Sequence, residues 1–256
     1  MKKTFAITVS IFALAAASLL LAGASKTNQV SIKLRGDQRC IKSNGTPNHA
    51  IGQFPNKGNP NSFKARKVSL CVDATPALTG KTVGGVPVSG VTLTGIIMRP
   101  GTADWFDASS RRGFSRDRAS GWNLEGMGSA QQLGIDANNA HVDNRGVYHY
   151  HGMPAALINI NGTSLMGYAA DGFEIHYVPG KVSSSYVLKS GKRPTAPFGR
   201  YDGAYVQDWT YAKGAGNLDE CNGSMVNGTY VYFATDSYPF FPRCFKGTVS
   251  DDFKRP

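Results

Sequence analysis

A chain of 256 residues, with 28 Lys plus Arg against 17 Asp plus Glu and a formal charge of +11, can bury one substantial core, so a single domain is expected. Its 13 prolines, 30 glycines and 11 tyrosines describe turns between strands and exclude a helical bundle. The positive charge comes without zinc-finger spacing or a helix-turn-helix pattern, so no nucleic-acid partner is expected.

Met1-Lys2-Lys3, the apolar run 5–21 and Ala22-Gly23-Ala24 form the three parts of a bacterial-type secretory signal. Residues 1–24 are therefore expected to be cleaved, leaving residues 25–256 as a periplasmic or secreted domain. No cysteine follows the run, which argues against a lipid anchor; a retained membrane anchor is the alternative. Val30, Ile32 and Leu34 then share one face of a strand, and 44–61, crowded with Asn, Gly and Pro, is irregular. Arg66 to Val72 alternates again, with Val68, Leu70 and Val72 on one side. The clearest β region is Val86 to Met98, ended by Pro100 and Gly101.

From Ala103 to Gly134 the pattern predicts a long excursion holding Trp105, Trp122 and a short helix near 128–133. Arg111, Arg112, Arg116 and Arg118 lie here. A solvated loop is the plain reading, and a contact patch for an anionic polysaccharide or the cell-envelope surface is the functional one. Strands are expected at Val147 to His151, Ala156 to Ile160 and Phe173 to Val178, with a hairpin turn at Asn161-Gly162. Three aromatic-rich segments follow, at 186–188, 205–211 and 230–233. The fold class is all-β: a sandwich or barrel-like single domain with long irregular loops. Cys40, Cys71, Cys221 and Cys244 favour two disulfides in an oxidising compartment. Of three pairings, nearness favours Cys40–Cys71 and Cys221–Cys244, and a thiolate metal cluster is the alternative.

Three of the five histidines fall between His141 and His151. In a strand, residues two apart share a face, so His149 and His151 stand together while Tyr148 and Tyr150 line the other side. A divalent transition metal needs imidazoles or carboxylates about 2.0–2.2 Å from one point. The turn-rich Asp143-Asn144-Arg145-Gly146 can return His141 to that point, and His49 or Asp171 can complete the set. Zinc, copper and iron all suit it. Asp136 or Asp143 can orient a ring, and ligation is expected to weaken as pH falls toward about 6. The competing reading is a buried hydrogen-bond network without a metal.

Chemistry is less defined. With an open metal position, Asp171 or Glu174 could serve as a general base. As a glycosidase pair they lie too close in one short segment. GxSxG, P-loop and HExxH motifs are absent. A non-catalytic alternative is a cell-surface or polysaccharide-binding module that stacks sugars on Trp105, Trp122, Trp209 and the tyrosines of 201–211.

These residues resemble the YHYH-domain family, mostly secreted proteins named for the tetrapeptide at Tyr148 to His151. The resemblance takes in Asn48-His49 with Gly52 and Pro55, Asn138 to His141, Gly146 to Gly152 with Pro154, and Ala170 to Phe173. It continues through Leu218 to Gly223, Tyr238-Pro239, Pro242 and Cys244. It implies one YHYH-type domain and no particular reaction. It also favours His49, His141, His149, His151 and Asp171 over His176, which stands where members often carry other residues.

Overall fold

The computed structural model describes residues 27–158 and 163–254; the segment 1–24 expected as a signal, the end of the strand expected at 156–160 and the hairpin turn expected at Asn161-Gly162 lie outside the described residues. The fold is mostly β, in several sheets. β1 (Val30–Arg35), β2 (Gln38–Ser43) and β3 (Val68–Asp73) make an antiparallel three-stranded sheet. Gly36, at φ 61°, turns β1 into β2 through the left-handed region that glycine enters without penalty. Ile41, Leu70 and Val72 are buried, and Cys40 is bonded to Cys71, its direct partner across β2 and β3. The apolar face expected for β1 is not buried: Val30, Ile32 and Leu34 are all exposed on this edge strand.

The main sheet has eight strands: β4 (Gly90–Thr92), β5 (Ile97–Met98), β6 (Ala140–Val142), β7 (Tyr148–Tyr150), β8 (Leu165–Ala169), β9 (Glu174–His176), β10 (Gly223–Val226) and β11 (Thr229–Phe233). Their spatial order is β10-β11-β9-β8-β4-β5-β7-β6, and among the described residues no ladder joins the two edges. Two neighbouring pairs, β7 with β5 and β9 with β11, are parallel. The single β region expected over 86–98 is a hairpin, because Gly95 at φ 78° turns the chain and Thr92 Oγ1 accepts the Ile96 N–H at 3.1 Å. The strand expected at 156–160 begins instead as a 3-10 turn, Ala155–Leu157, after Pro154, with the Ala156 N–H donating to Asn138 Oδ1.

The excursion over 103–134 folds on itself. Trp105–Phe106 pairs with Phe114–Ser115, and Phe114, Leu124 and Leu133 form a small second core. The expected short helix is Ala130–Leu133, closed by Gly134 in the left-handed region. Trp122 is buried and donates to Thr195 Oγ1, while Trp105 and Trp209 are half-buried, the latter stacked on Tyr238. The three tryptophans therefore act as anchors of loops rather than as one exposed face.

The second disulfide is Cys221–Cys244, and no described cysteine is free. Non-reducing peptide mapping is expected to recover both cross-links. Cys221→Ser with Cys244→Ser should lower stability by about 3 kcal/mol through the freed loop entropy of the unfolded chain. On the other side of β7, Tyr148 is fully buried and its hydroxyl donates to Asp136 Oδ2 at 2.8 Å. Tyr148→Phe keeps the ring but removes this bond to a carboxylate, so denaturant unfolding should show a loss of about 1–2 kcal/mol; metal uptake should not change.

Candidate metal centre

β6 and β7 place the site. Their antiparallel register sets His141 directly opposite His149, and His151 follows two residues later on the same face. The intervening turn is built by Asp143, whose Oδ1 accepts the backbone N–H groups of Arg145 and Val147 at 2.9 and 3.0 Å. His151 is fixed beyond the strand end by its own N–H, which donates to Asn139 O at 2.7 Å.

The three rings meet at their Nε2 atoms. His151 Nε2 lies 3.1 Å from both His141 Nε2 and His149 Nε2, and the three ligand atoms fall within 4.8 Å of one another. Each Nδ1 faces a backbone carbonyl: Leu133 O at 2.9 Å from His141, Val147 O at 3.0 Å from His149, and Pro100 O at 3.5 Å from His151. A carbonyl oxygen only accepts, so the short contacts place the proton on Nδ1 of His141 and His149, and the longer one turns His151 Nδ1 the same way; in that tautomer each Nε2 presents a lone pair to the same point. A Zn–N bond of about 2.0–2.1 Å subtends roughly 98° across such a 3.1 Å gap, between octahedral and tetrahedral angles. The donor set fits a divalent transition metal.

Burial keeps these rings in the ligating form. His149 and His151 are 2% and 1% exposed, and desolvation, with Arg99 and the neighbouring rings adding to it, holds both well below the usual imidazole range. His141, only partly exposed, is lowered for the same first reason. Neutral imidazole is therefore the resting state at neutral pH.

Two expected ligands are not brought here. His49 lies across β7, on the tyrosine face, where its Nε2 bonds to the Tyr150 hydroxyl at 2.7 Å and its Nδ1 faces Ala50 O. Asp171 is buried elsewhere in the core, accepting from the Tyr232 hydroxyl at 2.7 Å and the Gly247 N–H at 2.9 Å. Asp136 and Asp143 do not orient the rings either: Asp136 serves Tyr148, and Asp143 binds Arg99 and Arg145. Backbone carbonyls take that role. His176 joins Ser164 Oγ and Glu174 Oε2 at 2.9 and 2.8 Å.

Sequence reasoning missed the supports. Pro100 and Gly101 read as strand terminators, yet Pro100 O accepts from both His151 and Arg243, and Arg243 is held by the buried Glu125 at 2.6 Å. Gly126 is required because a Cβ there would collide with the His151 ring. Arg99, the residue after β5, stands beside the cluster and carries no pattern that marks it in advance.

The histidines open onto a cavity of about 820 Å³, whose walls include Asn59, Arg99, Thr102, Arg112 and Asp143. A profile of the family described as YHYH protein matches residues 67–247, a span that contains His141, His149, His151 and Asp171 but not His49. Searches of curated proteins and of solved structures returned no match. With well over half of its length matched, the chain belongs to the YHYH family.

Proposed function

We propose that the protein is an exported metal-binding protein in which His141, His149 and His151 hold one divalent zinc, copper or iron ion and leave coordination positions facing the cavity. One observation carries this reading: three Nε2 lone pairs converge while every Nδ1 is turned to a backbone carbonyl. A metal-free hydrogen-bond network would need a proton between neighbouring Nε2 atoms, supplied either by a charged ring where burial disfavours charge or by a neutral ring that gives up its Nδ1 contact with a carbonyl. Three protein ligands beside a cavity match open sites better than closed structural ones. A bound ion with such an open position would supply acidified water or Lewis-acid polarisation. The chain's own part is to fix the rings and exclude bulk water from His149 and His151.

Two disulfides support export, since such bonds persist in oxidising compartments. The frame is read as sandwich-like, because Ile41, Leu70 and Val72 of the small sheet share one core with Val91, Tyr168 and Ala169 of the large one.

Elemental analysis of untagged protein from its native compartment is expected to find about one transition-metal ion per chain, and none after His149→Ala with His151→Ala. Excess zinc at about 100 times Kd should stabilise the wild type by about 2.7 kcal/mol and leave the double variant unmoved. Because burial lowers the imidazole pKa values, proton competition begins below the usual 6.5, so binding should persist at pH 6 and fail only at lower pH. In the metal-free protein the unfolded chain takes up these protons first. Stability should therefore be level above about pH 6.5 and decline as pH falls below it. No bound metal and no uptake on titration would reject the site.

A further inference from the structure

The cavity that the three histidines face also gathers Arg99, Arg112, Arg116, Arg118 and Arg145, against two acidic side chains among the described residues, Asp104 and Asp143. Asp143 is already committed, to Arg99 at 3.2 Å, to Arg145 at 3.4 Å and to two backbone N–H groups. Among the described residues, Arg112, Arg116 and Arg118 have no carboxylate within 4.0 Å in an ion pair. Two of them are nonetheless held in place: Arg112 donates to Gly58 O at 2.7 Å and lies 4.3 Å over Phe114, and Arg118 lies 5.6 Å from the Trp105 ring. Each guanidinium keeps planar donors suited to carboxylate or phosphate oxygens. At the floor, the buried Arg99 Nε has no hydrogen-bond partner.

Three neutral imidazoles contribute no charge, so an ion they hold keeps its full positive charge beside Arg99. Among the described residues, no carboxylate belongs to the ligand cluster. A cationic floor under a cationic wall needs a mobile anion. The volume of about 820 Å³ lies within the range that takes a small organic ligand rather than a lone ion.

Resting on the metal reading, we propose that this cavity is an oxyanion site: one carboxylate or phosphate group sits at the open metal face beside Arg99, and Arg112, Arg116 and Arg118 hold further anionic groups of the same ligand. A short acidic oligosaccharide and an organic phosphate share this chemistry. Metal and anion then bind cooperatively, each raising the affinity of the other by the same factor.

The test is calorimetric titration of the full mature chain at low ionic strength, zinc-loaded and zinc-free, with a hexose bisphosphate and separately with a linear triuronate, each of which carries more than one anionic group. At least one probe is expected to bind, about tenfold tighter with zinc present. The bisphosphate alone or the triuronate alone would each support the site and identify the oxyanion it takes. Arg116→Gln with Arg118→Gln should keep one equivalent of zinc and weaken the anion by about tenfold. Lysine at both positions should recover part of that loss, and thermal melts should show all forms folded. One equivalent of zinc with neither probe bound, or unchanged binding in the glutamine variant, would overturn the proposal and leave the metal site standing. Failure of zinc to bind would instead sink the metal reading. The anion site would then have to show its arginine dependence in the zinc-free titration, and would fall without it.

Discussion

The register between β6 and β7 is the constraint on which the rest of the site depends. Setting His141 opposite His149, with His151 two residues on, places three imidazoles on one face and two tyrosines on the other. A slip of one residue would exchange the faces, burying hydroxyls where nitrogens now converge. The tyrosine side resists that slip. Tyr148 and Tyr150 are almost completely buried, and at about 25 cal/mol per Å² over roughly 150 Å² each ring contributes about 4 kcal/mol. The bonds from Tyr148 to Asp136 and from Tyr150 to His49 add direction to that burial. His49 thus serves the site from behind, by fixing the strand that carries the ligands.

The histidine face is tolerated because its rings are neutral and half-satisfied. Burying a charged imidazole would be opposed by desolvation and by Arg99, but a neutral ring whose Nδ1 proton meets a carbonyl leaves only one lone pair unmatched. Three such lone pairs at one point form the part of the structure least content without a cation. The supports come from separated segments: Leu133 at the end of the short helix, Pro100 after β5, and Arg243 with Glu125 behind Pro100. Long loops that look like excursions in the sequence are therefore what hold the rings and wall the cavity.

The period of two, the turn at Asp143 to Gly146 and both disulfide pairings were legible in the sequence because each is local or limited by few alternatives. His49 and Asp171 were not separable from the true cluster, since their residue types suit a metal and only tertiary placement puts one behind β7 and the other beside Tyr232. The orienting groups were invisible for a different reason: every residue has a carbonyl, and which one meets a ring depends on the path of the chain. Gly95 divided the apolar stretch 86–98 into two strands, a break the β-branched residues concealed. The arginine run read as a loop surface, and folding of 103–134 brought Arg112, Arg116 and Arg118 to the cavity that the histidines line.

The central claim is that His141, His149 and His151 each hold a proton on Nδ1 and aim a bare Nε2 at one point. Ring 15N NMR of the metal-free protein, before and after one equivalent of zinc, tests it most directly. The account predicts the Nδ1-protonated tautomer for all three rings, with the Nε2 signals moving on zinc addition while the Nδ1 protons remain. An Nε2-protonated ring at His149 or His151, or Nε2 signals unmoved by zinc, would contradict it.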